Sequence, residues 1–317
     1  DLYSSIDSAD VTLEGDVAGM TLRLDLIDEG RLIMTRNLTA DGPGTRIIRW
    51  PAFNAEKGSY DVCAFLRKNG TAVSSKCNSF FYGGVEPIRF DVRDFRADSR
   101  GMHLAISASD PTVVDIYYML IDGNKAVYVT REQVIPITVS NALPITKDYA
   151  WKSILENGRE YAGRVKIVEL SHNQTRAFMN SFRAVDDAMI TETYQDETGA
   201  SATVLGNSRV PFEGSLRFIL SESGHVLNTT EKRTPVLLTG DDETVEITWN
   251  KTLDPGIYQL RTVLLGKSGA VMDFEENVIE AKPLLRNNAT DTAKKACFPA
   301  GATAFAMLMM VLLRRRR

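Results

Sequence analysis

The stretch Gly58-Ser-Tyr-Asp-Val-Cys-Ala-Phe-Leu66 decides the fold, because it recurs further along the chain. The segment Gly256-Ile-Tyr-Gln-Leu-Arg-Thr-Val-Leu264 repeats its glycine, its tyrosine and its alternation of side chains, and Tyr161-Ala-Gly-Arg-Val-Lys-Ile167 occupies the same place in a middle copy. Recurrence at a regular interval is typical of an array of similar modules. The sequence therefore predicts three copies of one domain.

One tryptophan precedes each copy of this segment, and the spacing of the tryptophans gives the module size. The three tryptophans of the chain stand 101 and 98 residues apart. About 100 residues with short strands is the size of an immunoglobulin-like sandwich, in which a tryptophan anchors the core and a tyrosine begins a late strand at the tyrosine-corner position. The expected repeat-core residues are Trp50, Tyr60, Trp151, Tyr161, Trp249 and Tyr258.

Upstream of each tryptophan, apolar side chains alternate with other residues before a turn that contains glycine. The alternating apolar residues are Leu22, Leu24 and Leu26 in the first copy, Val114, Ile116, Tyr118 and Leu120 in the second, and Leu216, Phe218 and Leu220 in the third. A period of two indicates half-buried antiparallel strands. Helical periodicity is nearly absent before residue 296, so the fold class is all-β.

Domain boundaries are expected near residues 86 and 188. The first joint contains Gly83-Gly84 and Pro87, and the second contains the polar stretch from Thr191 to Ser201. The predicted order is three Ig-like β-sandwich domains at 1–86, 87–187 and 188–283, a stalk at 284–295, a transmembrane helix at 296–313 and a cytoplasmic arginine cluster at 314–317.

The C-terminal segment has the properties of a membrane anchor. Residues 296–313 carry no charge, and a helix of this length reaches about 27 Å, enough to cross a thin hydrocarbon layer. The following arginines, Arg314, Arg315, Arg316 and Arg317, predict a cytoplasmic C-terminus and an exported N-terminal region. A buried core helix and a glycolipid-anchor signal are alternatives, but neither usually ends in a run of arginines.

The residues before the apolar segment add a resemblance to a family. Cys297-Phe298-Pro299-Ala300-Gly301, the apolar span and the arginines together resemble the C-terminal sorting signals of archaeal surface proteins that are archaeosortase substrates of the PGF-CTERM kind. The order of Phe298, Pro299 and Gly301 departs from the Pro-Gly-Phe box of that family. The resemblance implies a tail that is removed as the protein passes to a lipid anchor. A permanent transmembrane anchor explains the same residues.

Two of the three cysteines are placed as a disulfide. Cys63 and Cys77 flank the turn at Gly70, and a three-residue loop centred on that glycine sets them opposite each other. A cross-strand disulfide forms where the compartment is oxidising. The alternative is a pair of unrelated thiols.

Sequons for N-glycosylation are more frequent than chance gives. The six acceptors are Asn37, Asn69, Asn173, Asn228, Asn250 and Asn288. Their number favours a glycosylated surface protein.

The side chains that most enzymes need are scarce. The only histidines are His103, His172 and His225, and no two are close in sequence or arranged with metal-ligand spacing. The net charge of -4, with one dense basic run at the terminus, argues against a nucleic-acid footprint. We therefore expect no enzyme, no nucleic-acid partner and no cofactor.

Acidic residues near the two joints leave calcium binding open. They are Asp91, Asp94 and Asp98 near the first joint, and Asp186, Asp187, Glu192 and Asp196 near the second. Calcium takes six to eight oxygen ligands and could stiffen a joint. The alternative is that these carboxylates are simply solvated.

The combined features favour a glycosylated rod of three modules on a cell surface, a structural component of an S-layer or envelope lattice. Its expected partners are the membrane, through the C-terminal segment, and other surface proteins or further copies of itself. A second hypothesis is an adhesin or receptor-like binding protein that uses the loop from Asn37 to Thr45. A third is an accessory role beside an enzyme.

Overall fold

The computed structural model describes residues 1–83, 90–138, 144–172 and 174–282, and all regular secondary structure in these ranges is β-strand. Module 1 contains β1 (Leu2–Ser4), β2 (Ser8–Leu13), β3 (Met20–Asp28), β4 (Arg31–Ala40), β5 (Gly44–Arg49), β6 (Gly58–Lys68) and β7 (Thr71–Tyr82). Module 2 contains β8 (Phe90–Ala97), β9 (Gly101–Ala108), β10 (Thr112–Asp122), β11 (Lys125–Ile137), β12 (Ile145–Ala150), β13 (Glu160–Glu169) and β14 (Gln174–Arg183). Module 3 contains β15 (Ala188–Gln195), β16 (Gly199–Gly206), β17 (Gly214–Glu222), β18 (His225–Arg233), β19 (Asp242–Thr248), β20 (Gly256–Gly266) and β21 (Val271–Ala281).

All three modules share one strand order. The first, second and fifth strands of a module form a three-stranded sheet, and the fourth, third, sixth and seventh form a four-stranded sheet. In the constant-type immunoglobulin arrangement the fourth strand joins the first sheet instead. The predicted repeats of β-sandwiches are therefore confirmed, with the fourth strand on the edge of the larger sheet.

The alternating apolar residues form the cores between the sheets. Leu24, Ile116 and Phe218 each have no exposed surface, and each belongs to the core cluster of its own module. The tryptophans lie in the same clusters. The indole nitrogen of Trp151 donates to the carbonyl of Asp98 at 2.7 Å, and that of Trp249 donates to the carbonyl of Asp196 at 3.0 Å.

The tyrosines that begin the sixth strands tie the preceding loops to the sheets. The hydroxyl of Tyr60 donates to the carbonyl of Glu56, and that of Tyr258 donates to the carbonyl of Asp254, both at 2.9 Å. Both bonds have the tyrosine-corner form. In module 2 the direction is reversed, because the hydroxyl of Tyr161 accepts from the backbone N–H of Glu156 at 3.3 Å.

Two stretches that were expected to be irregular are strands. The polar stretch from Thr191 to Ser201 is not a joint, since most of it belongs to β15 and β16 of one hairpin. The expected binding loop from Asn37 to Thr45 is also wrong, because β4 and β5 leave only residues 41–43 between them. Polar side chains occur in both stretches because these strands lie at the surface, where one face meets water.

The predicted stalk, membrane span and arginine cluster lie outside the described residues, as do Phe298, Pro299, Gly301 and Arg314 to Arg317. Within the described ranges, the structure contains no helix with the length and apolar character needed to cross a bilayer.

Candidate functional site

The first two modules meet through the faces of their sheets. The outer face of β1, β2 and β5 packs on the outer face of β10, β13 and β14. At one end Ile47 donates its N–H to the carbonyl of Asn124 at 2.8 Å, and this contact joins the two sheets into one of seven strands. The rod expected from the sequence is therefore wrong for this pair, because an end-to-end arrangement would leave these faces open.

A small apolar patch fills one part of this contact. Ile47 of module 1 packs against Met119, Ile121 and Ala162 of module 2, and all four are buried. The opposite faces of β5, β10 and β13 line the cores of their own modules. These three strands are therefore buried on both faces at this point.

Charged side chains fill the rest of the contact. The carboxylate of Asp10 on β2 lies 3.0 Å from a guanidinium nitrogen of Arg164 and 2.7 Å from the amino group of Lys166, both on β13. Arg164 also donates to the hydroxyl of Ser8 at 2.9 Å. The side chains of Asp10 and Arg164 are only 2% and 1% exposed. Charges removed from water to this degree need accurate pairing, so they fix one relative orientation of the two modules.

Two aromatic rings lie on either side of Lys166. The amino group of Lys166 lies 5.7 Å from the ring centre of Tyr3 and 5.3 Å from that of Tyr117. Such contacts stabilise a cation that has lost its water. Burial raises the pKa of Tyr3 to about 12, and the nearby charge of Arg164 opposes part of this rise.

An exposed ion pair lies at the edge of the contact. Asp41 accepts from Lys125 of module 2 at 2.9 Å and from Arg46 of module 1. The hydrogen bond from Lys125 is the main reason that the pKa of Asp41 lies below its usual value. Solvent screens this pair, so it contributes little to the affinity between the modules.

The arginine of this contact has a counterpart in module 3, where its surroundings differ. The alignment of Tyr161 with Tyr258 places Arg261 at the position of Arg164. Arg261 is half exposed and lies 3.5 Å from Glu276 on the neighbouring strand, in the manner of a solvent-facing pair. Sequence reasoning missed Asp10 and Arg164, because a charged residue on the outer face of a strand predicts exposure.

A cleft of about 1030 Å³ opens beside the contact. Its walls come from β1 and β7 of module 1 and from β10, β13 and β14 of module 2. A second cavity, of about 530 Å³, lies where β4 and β5 approach β14, and Asn37 is among its lining residues.

Modules 2 and 3 are joined without a free linker. Val210, from the loop after β16, is 1% exposed and belongs to the core cluster of module 2. The neighbouring Arg209 donates its backbone N–H to the carbonyl of Ser99 and accepts through its carbonyl from Leu155, both at 2.9 Å. This loop therefore completes the end of module 2.

The disulfide between Cys63 and Cys77 is present, with the two Cα atoms 4.1 Å apart. The turn between β6 and β7 differs from the expected three-residue loop. It has two residues, Asn69 and Gly70, both with positive φ, which is the type that suits a tight hairpin. A register shift after Leu66 restores the pairing of the cysteines.

The glycosylation acceptors within the described ranges are accessible. Asn37, Asn69 and Asn250 are exposed, and Asn228 is half-buried. Asn173 and Asn288 lie outside the described residues.

The histidines do not come together as a reactive site. His103 pairs with Asp148 at 2.7 Å in β12, and His172 lies 3.2 Å from Glu169 at the end of β13. His225 is an exposed residue at the start of β18. Each of these positions suits a surface strand or turn residue.

Six of the seven acidic residues near the joints have structural partners, and the seventh, Glu192, is an exposed residue of β15. Asp98 and Asp196 each accept backbone N–H groups of the following turn, and a hydrogen bond from Thr198 lowers the pKa of Asp196. The residues paired with a basic or amide side chain are Asp91 with Arg93, Asp94 with Arg96, Asp187 with Arg100 and Asp186 with Asn157. Across the described part of the chain, no three histidine, cysteine or carboxylate side chains are grouped to hold a metal ion.

No protein-family model and no curated protein sequence matches this chain. Solved structures give weak likenesses. Escherichia coli alpha-2-macroglobulin activated by porcine elastase is 13% identical with a TM-score of 0.22, over 87% of this chain and 31% of that one. A tetra-tandem repeat in the extending region of a large adhesion protein is 12% identical with a TM-score of 0.26, over 87% of this chain and 70% of that one. Red sea bream transglutaminase is 7% identical with a TM-score of 0.26, over 62% of this chain and 32% of that one. The chain thus spans less than a third of the macroglobulin, and likeness at this level says nothing about function.

Proposed function

We propose that this protein is a non-catalytic structural component of a cell surface, anchored to the membrane by its C-terminal segment. The observation that carries the proposal is the fixed connection of three sandwiches, through buried charges between modules 1 and 2 and through Val210 between modules 2 and 3. Fixed connections suit a part that holds a defined shape. Hinged connections would suit a flexible tether.

Two further features support an extracytoplasmic position. Disulfides persist mainly in oxidising compartments, and Cys63 and Cys77 form one. Three sequon asparagines are exposed, as a surface glycoprotein requires. The proposal includes an archaeal envelope or S-layer as the setting, and either a permanent transmembrane helix or a tail exchanged for a lipid as the anchor. The proposal does not depend on a bound calcium ion.

The test combines labelling of intact cells with microscopy of isolated envelopes. A membrane-impermeant reagent should label the full chain on whole cells, and the protein should occur in high copy number in an ordered array. Mass spectrometry of the native protein should find the disulfide, glycans and either an intact or a lipid-bearing C-terminus. Recovery in the cytosol with reduced cysteines and no glycan would overturn the proposal.

A binding function, as in an adhesin, is the second candidate. The cleft beside the contact of modules 1 and 2 favours it, because a concave surface between rigid domains is a common place for ligands.

A further inference from the structure

The cleft beside the contact of modules 1 and 2 combines aromatic, cationic and uncharged polar surface. Phe81 and Tyr82 come from the end of β7, and Tyr117 comes from β10. Arg176 of β14 lies on its rim and Lys166 reaches its floor. Because β7 is an edge strand, residues from both of its faces reach the cleft.

Two cationic side chains line the cleft, Lys166 at its floor and Arg176 on its rim. Arg164 and Lys166 share one carboxylate, that of Asp10. Arg176 is exposed and has no ion-pair partner among the residues that the structure describes. Its charge acts on the hydroxyl of Tyr3, since Arg176 is one of the cations that oppose the rise in the pKa of that group. The cleft therefore attracts a negatively charged group toward its floor.

Among the described residues near the cleft, the carboxylates of Asp1 and Glu169 have partners. Asp1 lies 3.6 Å from Lys76 on module 1. Glu169 is fully buried and accepts from the hydroxyl of Thr112 at 2.7 Å and from the backbone N–H groups of Ser171 and His172. Neither carboxylate forms an ion pair with Arg176.

The opposite wall offers apolar rings to solvent. Phe81 is 53% exposed and Tyr82 is 38% exposed. Serine and asparagine side chains line the cleft beside them, Ser4, Ser5, Asn78 and Ser79. A ligand that fits such a wall presents C–H groups to a ring and hydroxyl groups to its neighbours, which is the surface of a sugar ring.

We propose that this cleft binds an acidic saccharide, with the acid group toward Arg176 and Lys166 and a sugar ring against Phe81 and Tyr82. A small inorganic anion would use the cations and leave the rings without a role. A neutral glycan would use the rings and leave the cations unpaired. The combination is what selects a uronic-acid or comparable acidic sugar.

The test is calorimetric titration of the full chain with tetragalacturonate. Its methyl ester serves as the neutral comparison and inorganic sulfate as the simple anion. The tetrasaccharide should bind at least about tenfold more tightly than either comparison ligand. Arg176→Gln and Phe81→Ala should each weaken its binding by about tenfold. Matched controls are Arg183→Gln on the same strand and Phe274→Ala, an exposed ring on module 3, which should bind like the unchanged chain.

Three results would overturn the proposal. The first is no binding at millimolar tetrasaccharide. The second is equal binding of sulfate, which would make the cleft a general anion site. The third is an equal loss with the control variants, which would indicate diffuse surface charge. None of these results bears on the structural role proposed above, because that role needs no ligand.

Discussion

Asp10 is the residue on which the orientation of module 1 depends. Replacement of Asp10 by alanine leaves two cations buried without a counter-charge, and breaking a buried pair in this way costs about 3–5 kcal/mol. We expect a loss of this size in the free energy of unfolding, measured with urea. The control is Asp254→Ala at the exposed pair with Lys251, where the loss should be much smaller.

A second variant separates the effect of charge from the effect of packing. Replacement of Asp10 by leucine together with Arg164→Met and Lys166→Met removes all three charges, and it should recover most of the stability. If the single and triple variants were equally unstable, packing rather than charge would hold the contact.

Cys63 and Cys77 close a loop with a sequence separation of 14 residues. Replacing both by alanine should lower the unfolding free energy of module 1 by about 3 kcal/mol, because the unfolded chain gains freedom. Denaturant unfolding measures this loss. Dithiothreitol should reproduce it in the unchanged chain and have no effect on the variant; sensitivity of the variant to the reductant would contradict the explanation.

The lowered pKa of Glu169 predicts that the stability of the fold depends on pH. Burial alone would raise its pKa, but hydrogen bonds from Thr112, His172 and Ser171 outweigh burial and lower it from 4.5 to about 2. A carboxyl with a lowered pKa stabilises the fold fully above its unfolded value, and this contribution is lost as the pH falls from about 4.5 to about 2. Unfolding measured across this range should be steeper in the unchanged chain than in Glu169→Gln. Identical slopes would show that Glu169 does not contribute.

Among the secondary-structure elements, the turn between the first two strands of each module shows how the copies differ. In modules 2 and 3 an aspartate side chain accepts hydrogen bonds from backbone N–H groups of this turn, and the turn ends at a glycine, Gly101 or Gly199. In module 1 the corresponding position is Ser8. A Cβ at Gly199 would lie 2.3 Å from the carbonyl oxygen of Ile247. A side chain there must push the two strands apart.

We therefore expect Gly199→Ala to destabilise module 3 by about 1–3 kcal/mol. Thermal unfolding followed by tryptophan fluorescence measures the change. Gly58→Ala is the control, because open space surrounds the added carbon and φ is not positive there. Equal effects of the two substitutions would rule out the steric cause.

The strands themselves were predictable because their signal is local. Alternation of apolar residues, such as Leu22, Leu24 and Leu26, reports burial on one face of a sheet wherever the strand lies. The hairpin of the disulfide was predictable only in part. The cysteine pair was correct, but its turn has two residues and a register shift after Leu66, which symmetry about Gly70 could not reveal.

At the scale of the whole molecule, Val210 connects two modules that the sequence treats as separate. Val210→Asp places a charge in the core of module 2, although the residue belongs to the chain of module 3. We expect the amides of β9 and β13 to exchange faster with solvent, by about tenfold or more, because burying an unpaired charge costs well over 1.4 kcal/mol. Hydrogen exchange measures this effect. Val236→Asp, at a residue 59% exposed, should leave it unchanged; a change confined to module 3 would contradict the shared core.

The contacts between modules could not be predicted from sequence. Ile47 and Met119 occupy outer-face positions in the alternation of their strands, as solvent-exposed residues also do. The sequence around Arg164 is that of an exposed side chain, and only the folded structure brings the carboxylate of Asp10 to it. Their partners lie more than 70 residues away, and no local pattern records which faces meet. The cleft depends on the same long-range placement, so its aromatic wall and its cations could not be connected in advance.

Val210 completes the core of module 2, and Arg164 pairs with Asp10 from far along the sequence. These two contacts fix the order in which the modules can be completed during synthesis. Domains form in order from the N-terminus during synthesis. Asp10 of module 1 therefore stays without its partners until β13 has left the ribosome, and the core of module 2 is incomplete until residue 210 has been synthesised. A stall between these points would leave an open sheet face in reach of other nascent chains, and this interval is when a chaperone would be needed most.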